Sequence, residues 1–171
     1  MKLSSLAIAA SLCLCTAGAM AADGGNINFT GKIVATTCEI PSGNIDVPMG
    51  VVTKDALAEA GTESAPVPFK IQLNKCDTQL EGVRVTFEGQ TDENNSELLK
   101  IGTGAPTDAA GVAIKLADKD DHAVAINSES QEYQLAPGDN SLDFKANYVS
   151  TETETKAGAA NATAAFKVTY R

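Results

Sequence analysis

The sequence predicts an all-β protein built from two packed antiparallel sheets. Apolar and polar residues alternate along several segments, which places one face of each strand in a core and the other in water. Clusters of Gly, Pro, Asn and Asp separate these segments and mark turns. The chain has 171 residues, of which 43% are hydrophobic and 14 are glycine. This length and composition suit one globular domain.

The alternating segments follow one another from the N-terminal region to the last residue. In the first, Ile27, Phe29 and Ile33 share a face with Gly31. The later ones run over 67–73, 83–87, 112–116, 124–126, 142–148 and 164–170. A short helix is predicted over 54–60, with Thr53 as its N-cap and Gly61 at its end. The number and spacing of the strands favour an immunoglobulin-like sandwich.

The first residues predict a secretory signal. Lys2 is followed by an apolar stretch over 6–15, and Ala19-Met20-Ala21 forms a small-x-small cleavage site. We therefore expect a signal peptide over 1–21 and a mature domain over 22–171. The short apolar stretch disfavours an uncleaved anchor. Leu12 and Leu14 disfavour lipoprotein processing, because a small residue is wanted before the modified cysteine.

Two cysteines remain after signal cleavage, Cys38 and Cys76. An even pair in an exported chain indicates a disulfide. Two free buried thiols are the alternative. In the chain-entropy view, a bridge of this span stabilises the folded state by about 4 kcal/mol.

Composition argues against several functions. The net charge of −9 and pI near 4.5 disfavour nucleic-acid binding, which needs clustered Lys and Arg. The single histidine, His122, argues against a His-based metal site or a Ser-His-Asp triad. The acidic residues in 118–122 suggest a calcium loop that begins at Asp118. Its sixth position, which needs glycine, is Ala123, so a solvated hairpin turn is favoured. We expect no enzyme activity, no cofactor and no metal.

Four stretches together resemble a known family. They are Gly25-Asn26-Ile27-Asn28-Phe29-Thr30-Gly31-Lys32-Ile33-Val34 followed by Cys38, Val47-Pro48-Met49-Gly50-Val51-Val52, the segment 69–77 with the second cysteine, and the terminal segment 157–171. Within the last, Gly158 and the penultimate Tyr170 match two family hallmarks. Met49-Gly50 stands where Leu-Gly is more usual. The chain thus resembles the type 1 fimbrial major subunit (pilin) family of the chaperone-usher pathway.

This resemblance implies an incomplete immunoglobulin-like β-sandwich that lacks its last strand and is completed by donor-strand complementation. The groove left by that strand would accept an N-terminal extension, residues 22–33, from another copy. The donor residues would be Gly25, Ile27, Phe29, Gly31 and Ile33. The C-terminal strand would border the groove and face a chaperone through Gly158, Phe166, Val168 and Tyr170.

The implied function is that of a structural subunit of a bacterial fimbria that polymerises head to tail and supports cell adhesion. The implied partners are other copies of the chain, a periplasmic chaperone, an outer-membrane usher and tip pilins. The implied route leads through the periplasm to the cell surface. Two alternatives stay open: a minor adaptor pilin of the same pathway, and a monomeric secreted β-sandwich that acts as a binding module.

Overall fold

The computed structural model describes residues 26–31, 33 and 37–171. The predicted signal peptide and Gly25 lie outside these residues. The described residues 26–31 belong to an N-terminal unit, and every strand belongs to the compact unit Ile33–Arg171. The mature-domain boundary at residue 22 stays a prediction.

The described strands form two antiparallel sheets, as the alternation predicts. The strands are β1 Val67–Cys76, β2 Gly82–Glu88, β3 Leu99–Lys100, β4 Val112–Asp118, β5 Tyr133–Gln134, β6 Gly138–Ser150 and β7 Ala165–Tyr170. One sheet has the order β1-β6-β4-β3 and the other β5-β2-β7. The predicted all-β immunoglobulin-like fold is confirmed.

The core lies between the sheets and is centred on aromatic rings. Phe144 of β6 is buried, and its ring centroid lies 5.0 Å from that of Phe87 in β2. Phe69 of β1 stacks on Phe144 at 5.7 Å. Residues facing this cluster recur at every second position of β1 and β6, where Ile71 pairs with Leu142. Period-2 alternation therefore selects the core face of each strand.

Two predicted elements differ from the structure. The helix predicted over 54–60 is a 3₁₀ helix, Lys54–Leu57, and Thr53 makes no side-chain cap hydrogen bond. The prediction of a strand over 124–126 is wrong. Val124 and Ile126 are buried, but Ile126 donates its backbone N–H to the Glu97 carbonyl, and the segment packs as an irregular loop.

No helix in the described part of the chain is long and apolar enough to cross a membrane.

A disulfide joins Cys38 to Cys76, the last residue of β1. Glu39, the residue after Cys38, exchanges two backbone hydrogen bonds of 2.8 Å with Asn74. The chain that precedes the first sheet is thereby fixed to the C-terminal end of β1. We name this the disulfide end of the sandwich.

Candidate functional site

An open groove of about 760 Å³ runs along the sandwich between two extended segments, and no strand of the described residues lies between them. One side is residues 43–50, here named the N-terminal wall, and the other is residues 160–166, the C-terminal wall. The floor consists of core side chains from both sheets. The floor residues include Ile71, Phe87, Leu99, Ile114, Leu116 and Tyr148.

Both walls turn alternate side chains towards the core without burying them. In the N-terminal wall, Ile45, Val47 and Met49 pack against the core and stay partly exposed. In the C-terminal wall, Ala160, Ala162, Ala164 and Phe166 do the same. The residues between them are exposed. The groove therefore presents an apolar lining that this compact unit does not cover by itself.

Part of each wall also has backbone groups without backbone partners among the described residues. Residues 45–50 make no backbone–backbone hydrogen bond to any of them, and neither do residues 162–164. Within the same part of the chain, β7 pairs only with β2. Extended segments with unpaired N–H and C=O groups can accept an added strand.

The described residues of the predicted donor segment are strongly exposed. The exposed fractions are 80% for Ile27, 92% for Phe29 and 98% for Ile33. None of residues 26–31 and 33 is in a strand, so the strand predicted over 27–33 is not formed by those of its residues that the structure describes. Large apolar side chains with this exposure are candidates for contact with another surface.

The predicted C-terminal strand corresponds to β7. Phe166, Val168 and Tyr170 point towards the core and are partly buried, and Phe166 lines the groove. Burial raises the pKa of Tyr170, whose hydroxyl also accepts a hydrogen bond from the Cys38 backbone. The C-terminal end of β7 is also fixed, because the Arg171 backbone N–H donates to the Gly82 carbonyl at 2.8 Å.

Gly158 is placed differently from the other predicted C-terminal residues. It precedes the C-terminal wall and lies against the backbone of residues 107–109. On either side, Ala159 donates to Thr107 at 3.0 Å, and Lys156 donates to Ala110 at 3.0 Å. Its position explains why glycine is needed: the two loops approach too closely for a Cβ atom. Gly158 therefore contacts the loop of residues 107–109 and does not face the groove.

The segment 118–122 forms the predicted turn, but Asp118 is buried and not solvated. Its carboxylate accepts the backbone N–H groups of Asp120 and His122 at 2.8 and 2.9 Å. The His122 Nδ1 atom lies 3.0 Å from the other carboxylate oxygen. These bonds close the turn after β4.

Sequence reasoning missed several residues of the groove. Ile45, Ala160 and Ala162 line it, although none was singled out. The same period-2 alternation that identified the strands runs through both walls, so that signal could have found them.

Comparison with known proteins agrees with this geometry. Residues 27–171 match the model of the fimbrial protein family. The chain belongs to the fimbrial protein family. It is 35% identical to the type-1 fimbrial protein A chain of Escherichia coli K12 over 183 aligned positions, which cover 100% of both chains.

Two solved structures are similar to this fimbrial protein. The antigen and type I fimbria protein of Burkholderia pseudomallei is 38% identical, with a TM-score of 0.63 and coverage of 85% of this chain and 97% of that one. A chain in a chaperone-usher pilus structure is 25% identical, with a TM-score of 0.67 and coverage of 86% and 96%. The predicted family and pilin fold are confirmed, and this fimbrial protein is a structural subunit of a fimbria.

Replacing Gly158 should destabilise the subunit. In Gly158→Ala, the new Cβ would overlap backbone atoms of residues 107–109, and such overpacking costs about 1 to 3 kcal/mol. Gly43→Ala is the matched control, because nothing lies within 4 Å of a Cβ there. The free energy of unfolding, measured by denaturant titration, should fall only for Gly158→Ala. Equal values for the two variants would show that the loop contact is not tight.

Proposed function

We propose that the groove of one subunit receives the N-terminal extension, residues 22–33, of a second copy, and that fibres grow by this exchange of strands. The observation that carries the proposal is the open groove with an apolar floor and two walls that each contain backbone groups without a backbone partner in the described chain. The same chain offers an exposed segment with apolar residues at alternate positions. One molecule thus holds both halves of the contact.

The dimensions of the two halves agree. The eight residues of the N-terminal wall span roughly 26 Å when extended, and the nine residues 25–33 span roughly 30 Å. An inserted strand can therefore pair along most of the wall. Its inward positions would be Gly25, Ile27, Phe29, Gly31 and Ile33, which alternate with Asn26, Asn28, Thr30 and Lys32.

The insertion would be driven mainly by burial of apolar surface. Three large side chains moving from almost full exposure into the groove contribute roughly 5 to 9 kcal/mol from area alone. Hydrogen bonds to both walls add to this. Because donor and acceptor surfaces differ, the contact would be heterologous, and repetition of a heterologous contact that does not close into a ring builds a fibre.

An unfilled groove needs protection before assembly. Exposed core residues and a free strand edge are an aggregation hazard. A periplasmic chaperone that pairs along β7 would cover the groove during export, and an outer-membrane usher would be the site of exchange. Tip pilins would meet the subunit through the same kind of contact. This route places the subunit in the periplasm before it reaches the fimbria.

Phe29→Asp should abolish fibre growth, because a carboxylate would enter an apolar groove without a partner. Asn28→Asp is the matched control, since residue 28 lies on the opposite face of the extended segment. Immunogold electron microscopy of cells that express each variant should show fibres only for the control. Normal fibres from Phe29→Asp would contradict the donor role.

Tyr170→Ser should lower recovery of the subunit with its chaperone. The ring of Tyr170 closes the apolar row of β7 at the disulfide end, and its burial stabilises that end by roughly 1.5 to 3 kcal/mol. Co-purification with the cognate chaperone should fall for Tyr170→Ser and stay unchanged for the exposed control Lys167→Ser. Tyr170→Phe, which keeps the ring, should behave as the unsubstituted chain. Equal recovery of all four proteins would exclude β7 as the surface that the chaperone recognises.

A further inference from the structure

The sandwich has two ends that lie far apart. Cys76 pairs with Gly138 at the start of β6, and the other end of β6 is Ser150. Twelve residues of strand separate these positions, or about 40 Å. The end opposite the disulfide end is here named the loop end.

The N-terminal wall runs in the direction from the disulfide end towards the loop end. It follows Cys38 at the disulfide end and leads to Gly61, whose N–H donates to the Ser150 carbonyl at 2.8 Å. The C-terminal wall begins at the loop end as well, since the Tyr148 hydroxyl donates to the Ala160 carbonyl at 2.9 Å. Residues 50–52 and Ala160 therefore mark the loop end of the groove.

The extension is attached to the body at the disulfide end, because Cys38 is fixed there. If each subunit both donates and accepts a strand, its disulfide end faces the subunit whose groove it fills. The body of the following subunit then has to lie at the loop end. An incoming extension accordingly runs antiparallel to β7, and the disulfide end of its own body meets the loop end of the acceptor.

Exposed apolar side chains occur at both of these ends. The large hydrophobic residues that are exposed in the described part of the chain are Ile27, Phe29, Ile33, Ile40 and Val51. Ile40 is 39% exposed and lies two residues after Cys38, at the disulfide end. Val51 is 99% exposed and lies at the loop end.

The exposure of Val51 has a local cause. Met49 and Val52 both pack against the core, so the alternation of the wall breaks between them. Gly50 has a φ of 72°, a left-handed conformation that glycine adopts readily. This turn leaves Val51 outside the groove and beyond its end. No neighbour within the described chain covers it.

We propose that Val51 of one subunit packs against Ile40 of the next and forms an end-to-end contact in addition to strand exchange. The inference rests on the proposed function, which brings the two ends together. Charged residues surround each apolar position: Glu39 and Lys75 form an ion pair of 2.9 Å beside Ile40, and Lys54 and Asp55 follow Val51. An apolar centre with a polar rim is the usual arrangement of a protein interface.

A charge exchange tests this contact. Val51→Lys and Ile40→Glu each place a charge against an apolar partner and should weaken each junction about tenfold, since loss of one buried aliphatic contact costs that much. Fibres should become fewer and shorter in both single variants. The double variant pairs Lys with Glu and should restore them. Gln131→Lys should leave fibre length unchanged, because Gln131 is exposed and its neighbours Glu129 and Tyr133 pair with β2 between the two ends.

A second readout separates this inference from the proposed function. A synthetic peptide with residues 22–33 should replace the chaperone in the purified chaperone–subunit complex, and so bind the subunit, equally well with and without Val51→Lys, because Val51 lies outside the groove. Unchanged fibres in both single variants, or no restoration in the double variant, would overturn the end-to-end contact. A peptide that fails to bind the unsubstituted subunit would overturn strand exchange itself.

Discussion

The core between the two sheets is open along one side, where no strand among the described residues lies between the two walls. Between residues 43–50 and 160–166, the core side chains of both sheets are reached from outside. The disulfide and the loops around Gly158 fix the ends of both walls, so the walls are not free to close over the floor. An added strand would bury it.

That constraint accounts for several features that would be costly in a monomer. The walls keep alternating apolar residues at partly exposed positions, and the N-terminal segment carries Ile27 and Phe29 in full contact with solvent. In a self-sufficient sandwich such residues would gain by being polar. In the proposed strand exchange they would be the two surfaces of one contact, each presented by a different copy. The single chain would then be less stable alone than within the fibre.

Much of the fold could be predicted from the sequence, because alternation over six or more residues identifies strands such as β1 and β6 directly. The prediction of a strand over 124–126 failed, because two buried apolar residues fit a short strand and a buried loop equally well. The groove could be inferred only through the family resemblance, because an absent strand leaves no pattern of its own. Gly158 was associated with the groove, yet its role follows from loop contacts with residues 107–109 that no local pattern encodes.

Strand exchange requires that another copy fills the groove, and a high-resolution electron cryo-microscopy map of the assembled fibre would show what occupies it. Strand exchange predicts a strand with the side chains of residues 26–33 between the two walls, connected to the body of the neighbouring subunit. A groove that is empty in the fibre, or that holds residues 26–33 of its own chain, would contradict it.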